Sequence, residues 1–121
     1  MDISERTLAA VRAYHNGWTT KDFDTAIRLL ATDMEIEVPV NEYADAASFG
    51  AALTAFGSVA QHVELLGEFA RGREAMLLYD MTVPGLGILR VAEHFTVAGG
   101  QIIRLRQIHD TAALRAAGFV R

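Results

Sequence analysis

The spacing of apolar residues changes at Gly57, and this change constrains the fold more than any other feature of the sequence. After Gly57, apolar residues recur at every second position, as expected of strands that bury one face. The stretches FARGREA and VAGGQI contain glycines where hairpin turns would join neighbouring strands. The pattern predicts strands near 61–70, 74–83, 87–98 and 101–109.

The first part of the chain is predicted to be mainly helical. A helix is expected from about Ile3 to Trp18, because Val11, Tyr14 and Trp18 share one face at helical spacing. Asp2, followed three residues later by a glutamate, resembles a capping box at its start. Further helices are predicted at about 22–31, 45–57 and 111–117.

One strand interrupts these helices. In MEIEVPV, the apolar residues Met34, Ile36 and Val38 alternate with glutamates, and Pro39 ends the pattern. Helices that precede a run of hairpin-linked strands indicate an α+β fold. We therefore expect one domain over 1–121, in which a strongly curved antiparallel sheet surrounds the N-terminal helices and leaves a cavity on its concave side.

Composition excludes several classes of function. The chain has 121 residues, a formal net charge of −4 and no cysteine. It therefore has no surplus of basic residues that would argue for nucleic acid or anionic lipid as a partner, and without cysteine it has no thiolate chemistry. Its four histidines are scattered, so neither a metal site nor a cofactor is expected. The polar start MDISER, with no long apolar run after it, predicts neither a signal peptide nor a membrane span, and hence a cytoplasmic protein.

The stretch LRVAEHFTV places one acid among apolar residues. By alternation, Glu93 lies on the same strand face as Leu89, Val91 and Phe95. A buried carboxyl must either find hydrogen-bond partners or stay protonated with a raised pKa. It could therefore be a catalytic acid or base, or it could make a structural hydrogen bond to Tyr14 or Gln107, or it could lie at an exposed strand end.

Other candidates follow from the predicted faces. Tyr14 and His109 join Glu93 as candidate catalytic residues, although each could instead be structural. His94 is predicted on the outer sheet face, and His15 and His62 are predicted at the surface. The predicted substrate-binding residues, mostly apolar walls, are Trp18, Val38, Phe56, Tyr79, Met81, Leu105 and Gln107.

Three stretches carry a family resemblance: VRAYHNGWTTKDFDTAIRLLATDMEIEVPV, VAEHF and GGQIIRLRQIHD. In them the chain resembles the nuclear-transport-factor-2-like superfamily, which includes ketosteroid isomerases, epoxide hydrolases and SnoaL-like polyketide cyclases. The resemblance implies a cone-shaped α+β fold and a homodimer formed through the outer sheet face. It does not choose a reaction, because this fold supports many.

The resemblance implies roles for three positions. In ketosteroid isomerases, a tyrosine and a protonated acid bind the oxyanion, and these correspond to Tyr14 and Glu93. The aspartate base of those enzymes corresponds to Val38, which cannot accept a proton. In epoxide hydrolases, and by a less secure alignment in polyketide cyclases, an aspartate corresponds to Gln107, which cannot transfer a proton at neutral pH.

Two classes of function follow from these matches and departures. The first is a cofactor-free isomerase, cyclase or hydrolase that acts on a hydrophobic oxygenated substrate of steroid, polyketide or terpenoid type. Glu93 and Tyr14 favour it. The second is a non-catalytic domain of the same fold that binds a small hydrophobic ligand or a protein partner. Val38 and Gln107 favour that alternative.

Overall fold

The computed structural model describes residues 1–118, and the order of elements there is helical first and β-rich later. The helices are α1 (Ile3–Thr19), α2 (Phe23–Arg28), α3 (Ala46–Gly57) and α4 (Ala112–Ala116). The strands are β1 (Leu30–Glu37), β2 (Gln61–Arg71), β3 (Glu74–Val83), β4 (Gly87–Ala98) and β5 (Gln101–Ile108). No helix within residues 1–118 is both long and apolar enough to cross a bilayer. The cytoplasmic location stays a prediction.

The strands form one curved sheet that does not close, in the order β1-β5-β4-β3-β2. This confirms the α+β class. Strands β2 to β5 pair antiparallel through hairpins, as predicted, whereas β1 lies parallel to β5 at the edge. A parallel neighbour requires a long connection, which here runs through α3 and the other strands.

The predicted second helix is too long. We expected it to reach Ala31, but α2 ends at Arg28 and β1 begins at Leu30. Leu30 lies opposite Ile102 of β5, whose backbone N–H donates to the carbonyl of Leu29 at 2.7 Å. Leu30 fits the helical spacing, but pairing with β5 determines its conformation.

Acidic side chains cap the helices. Asp2 accepts a hydrogen bond from the backbone N–H of Glu5 at 2.8 Å, and Asp45 caps α3 in the same way. At α4, the N-cap residue Thr111 makes no side-chain capping bond, and the Asp110 carboxylate accepts instead from the N–H of Ala112 at 3.0 Å. These bonds set the starts of helices that cover the sheet.

Helix α1 lies across one face of the sheet, here called the inner face. Its residues Val11, Tyr14 and Trp18 are buried, as are Leu77 of β3 and Phe95 of β4. The core therefore lies between α1 and the inner face. Side chains that point inward from the middle of β3, β4 and β5 are removed from solvent on this side.

Candidate functional site

Glu93 lies on the inner face of β4 and is 1% exposed. Its neighbours on that face, Val91 and Phe95, are equally buried. This confirms the orientation that alternation predicted. The carboxyl group is therefore surrounded by protein and cannot depend on bulk water for its solvation.

Two side chains donate hydrogen bonds to this carboxyl group. Gln107 lies directly opposite on β5, and its Nε2 donates to Oε2 at 2.7 Å. The hydroxyl of Tyr79, on β3, donates to Oε1 at 3.2 Å. Of the two partners that the sequence suggested, Gln107 is correct and Tyr14 is replaced by Tyr79. Within residues 1–118, Glu93 forms no ion pair.

Burial dominates the ionisation of Glu93. It raises the pKa from 4.5 to about 7, although the hydrogen bonds from Gln107 and Tyr79 act in the opposite direction. The protonated and ionised forms are therefore both populated at neutral pH. A carboxyl group in this state can donate or accept a proton in a reaction.

Tyr14 presents a second polar group at the same depth. Its ring packs edge-on against Phe95, with centroids 5.7 Å apart, and the residue is fully buried. Within the described part of the chain, its hydroxyl has no hydrogen-bond partner. Burial and the nearby charge of Glu93 raise the pKa of Tyr14 well above 10, so the hydroxyl keeps its proton. It is a donor without an acceptor.

A cluster of three rings joins α1 to β3. The ring centroids of His15 and Tyr79 are 4.8 Å apart, and that of Trp18 lies within 6 Å of both. His15 is only 8% exposed, so the predicted surface position is wrong. Trp18 and Tyr79 cover it, and burial lowers its pKa to about 4, which leaves it neutral at pH 7.

A cavity of about 530 Å³ adjoins these groups. Glu93 is the one carboxyl and His109 the one imidazole among the lining residues, all of which fall in the described chain. Most of the other lining residues are apolar or aromatic. The predicted residues that line it are Tyr14, Trp18, Val38, Phe56, Tyr79, Met81, Glu93, Gln107 and His109.

Leu105 is the predicted wall residue that does not line this cavity. It is fully buried and lies between Phe95 of β4 and Ile36 of β1 in the sheet. It belongs to the buried hydrophobic core. Its inward orientation was correct, and its assignment to the cavity was wrong.

His109 follows the end of β5 and is half-buried at the cavity. Its Nδ1 lies 3.0 Å from the backbone carbonyl of Asp110. Because a carbonyl only accepts, this contact places a hydrogen on Nδ1. In the neutral ring, Nε2 is then free to accept a proton.

The sequence missed a part of the cavity wall that comes from the segment between β1 and α3. Asn41 and Tyr43 line the cavity there, and the ring of Tyr43 packs edge-on against Phe49 of α3. This segment has no periodicity that could assign its side chains to a face. The one signal in the sequence was the presence of an amide side chain, Asn41, and an aromatic one, Tyr43, between a strand and a capped helix. Within residues 1–118, no group of three or more potential ligands is placed to hold a metal ion.

Comparison with known proteins identifies the family. The SnoaL-like domain matches residues 11–105. The chain belongs to the SnoaL-like family. No curated protein matches the sequence. This family assignment agrees with the nuclear-transport-factor-2-like fold that the sequence motifs implied.

Solved structures extend the likeness. A protein from Kribbella flavida DSM 17836 is 33% identical, with 91% of each chain covered and a TM-score of 0.85. A steroid delta-isomerase from Pseudomonas aeruginosa is 20% identical, covering 98% of this chain and 90% of its own, with a TM-score of 0.79. An epoxide hydrolase from M. tuberculosis is 19% identical, covering 93% and 89%, with a TM-score of 0.75. At 20% and 19% identity, the last two show a shared fold alone.

Proposed function

We propose that this SnoaL-like protein is an enzyme that needs no cofactor and transfers a proton to or from a hydrophobic oxygenated molecule. The observation that carries this proposal is Glu93, a buried acid with a pKa of about 7 at a cavity with mainly apolar walls. Groups with such perturbed pKa values beside a cavity are concentrated at active sites. The reaction class is isomerisation, cyclisation or hydrolysis of a steroid-, polyketide- or terpenoid-like substrate.

The site supplies two complementary groups for such a reaction. Ionised Glu93 can remove a proton from carbon next to a carbonyl and return it elsewhere, or the protonated form can donate to an oxygen. The hydroxyl of Tyr14, which has no partner in residues 1–118, can donate to the oxygen on which negative charge develops. His109 is a second group that can carry a proton. Apolar walls exclude water and strengthen these interactions.

The pH dependence of kcat separates the two roles of Glu93. As a base, the residue must be ionised, so the rate should rise as pH increases through about 7. As an acid, it must be protonated, so the rate should fall over the same range. Test substrates are a 3-keto steroid with an unconjugated double bond, followed by the absorbance of the conjugated product, and a cyclic terpene epoxide.

The alternative is a binding protein without turnover. It is favoured by Val38 and Gln107, which stand where related enzymes carry proton-transferring aspartates. Glu93→Gln distinguishes the two functions. An enzyme should lose turnover at least about a hundredfold, the usual contribution of a general acid or base, and still bind substrate. A binding protein should show no turnover in either form and keep ligand affinity within a few-fold. Turnover that survives Glu93→Gln would refute the catalytic role.

We also propose a homodimer formed through the outer face of the sheet, the face away from α1. Leu78, Ala92 and Ile108 lie side by side there on adjacent strands, and Ile108 is 72% exposed. Glu64 on β2 and Arg106 on β5 flank this apolar row. A two-fold axis that crosses this row would pack the apolar row of one copy against the same row of the other.

Analytical ultracentrifugation tests the dimer. The unmodified protein should sediment as a dimer at micromolar concentration, and Leu78→Glu should sediment as a monomer because it places two like charges in the apolar row. Ile3→Glu, at an exposed position on α1, is the control and should remain dimeric. A monomer in the unmodified protein would refute this interface.

A further inference from the structure

The hydrogen bond from Tyr79 to Glu93 depends on the direction of the Tyr79 ring. The hydroxyl lies at the end of a rigid side chain, so a small tilt of the ring would lengthen a contact of 3.2 Å beyond hydrogen-bond range. Nothing in residues 1–118 holds the hydroxyl on its other side, because Glu93 is its one hydrogen-bond partner there. The groups that contact the ring therefore control the bond.

His15 is the closest of the aromatic rings that contact Tyr79. Its centroid lies 4.8 Å from that of Tyr79, whereas Trp18 is at 5.8 Å. Residues 15 and 18 are adjacent on the face of α1, so one helix turn presents both rings to β3. Edge-to-face and tilted ring contacts at these separations favour one orientation of each ring.

His15 has no visible role of its own in binding. It does not line the cavity beside Glu93, and it lies instead at a groove between α1 and β2, near Arg12 and Glu68. Its Nδ1 has no hydrogen-bond partner within the described chain. Burial keeps the ring neutral at pH 7, although the charge of Glu68 acts in the opposite direction. What remains is its contact with the neighbouring rings.

We propose that His15 is a positioning residue that holds the phenol of Tyr79 against Glu93 from behind the cavity wall. This rests on the proposed function, in which Glu93 transfers the proton, and it adds a residue that never touches the substrate. Two properties of His15 matter: its planar shape and its lack of charge. Its basicity plays no part.

The test is a double-mutant cycle read out at Glu93 without ligand. The carboxyl carbon of Glu93 is followed by ¹³C NMR as a function of pH in the intact protein. Tyr79→Phe removes the donor and should move the Glu93 midpoint upward by about 1 pH unit. His15→Ala should move it upward by at least half as much. His15→Phe, which keeps a flat ring, should leave it close to the unmodified value.

The cycle also shows whether His15 acts through Tyr79. In a protein that already carries Tyr79→Phe, His15→Ala should add no further shift, because the hydrogen bond is already absent. An additional shift of the same size in that background would overturn the proposal. So would a His15→Ala midpoint that equals the unmodified one.

Folding is checked separately. Each variant should show one cooperative urea transition, and if His15→Ala does not fold, His15→Leu fills the same space without a planar ring and carries the test. The readout requires neither ligand nor turnover. A failure of the proposed enzymatic function would leave the cycle intact, and a failure of the cycle would leave the pH–rate test of Glu93 intact.

Discussion

Replacing Glu93 by glutamine should stabilise the folded protein at alkaline pH, and the size of the effect can be calculated. Burial raises the pKa of Glu93 from 4.5 to about 7. The folded state therefore holds the proton more tightly than the unfolded state. The contribution of this residue is most favourable below pH 4.5, becomes less favourable as pH rises, and is constant above pH 7.

Each unit between the folded and unfolded pKa values corresponds to about 1.4 kcal/mol, so ionised Glu93 destabilises the folded state by about 3 kcal/mol well above pH 7. At pH 5 the same linkage gives about 1 kcal/mol, and at pH 8 about 3 kcal/mol. Glutamine cannot ionise. The difference in the free energy of unfolding between Glu93→Gln and the unmodified protein should therefore grow by about 2 kcal/mol from pH 5 to pH 8.

Urea unfolding measures this difference, with fluorescence of Trp18, the single tryptophan, as the probe. Trp18 is 3% exposed, so its emission reports loss of the core. Comparing two pH values removes any effect of the substitution that does not depend on pH. Glu37→Gln, at an exposed site on β1, is the control and should show no such growth. An equal difference at pH 5 and pH 8 would refute a raised Glu93 pKa.

Two other substitutions test the structure around the site. Gln107→Leu removes the hydrogen-bond donor that lies 2.7 Å from the Glu93 carboxyl group. The midpoint of the Glu93 titration, followed by ¹³C NMR, should rise by about 1 pH unit. An unchanged midpoint would contradict this contact. Gly57→Ala would place a Cβ 2.7 Å from Cε1 of Phe23, so urea unfolding should show a loss of about 1 to 3 kcal/mol. A loss near zero would mean that the Phe23 ring or α3 can move aside.

The orientation of Glu93 could be predicted because strand alternation is a local property. Once one face of β4 is buried, every second side chain must point inward, and the same alternation places Gln107 on the inner face of β5. Both the buried acid and one of its partners therefore followed from the sequence. The same argument predicted the limits of β2 to β5 to within one residue, whereas β1, expected over MEIEVPV, runs from Leu30 to Glu37. A register shift between Thr96 and Val97, which the sequence did not predict, brings Gln107 directly opposite Glu93.

The second partner of Glu93 could not be predicted in this way. Tyr14 and Tyr79 both point inward, and only the relative depths of α1 and β3 decide which hydroxyl reaches the carboxylate. His15 was placed at the surface because the ring of Tyr79 that covers it lies far away in the sequence. Leu105 was correctly predicted to point inward but wrongly assigned to the cavity wall. An inward strand position does not show whether a cavity or a neighbouring side chain lies above it.

The energetics of Glu93 bear on its function as well as on the fold. A neutral side chain of the same shape could pack against the same neighbours. It would also avoid a destabilisation of the folded state by about 3 kcal/mol at neutral pH. That is a large part of the stability of an ordinary domain. Packing alone therefore does not account for an acid at this position. The hydrogen bonds from Gln107 and Tyr79 reduce this destabilisation without removing it. They leave the pKa of Glu93 at about 7, so that at neutral pH the carboxyl group readily gains and loses a proton. The stability of Glu93→Gln and the pH dependence of kcat therefore both depend on the raised pKa of Glu93. If Glu93→Gln is more stable than the unmodified protein and is inactive, then Glu93 lowers the stability of the fold and is required for proton transfer.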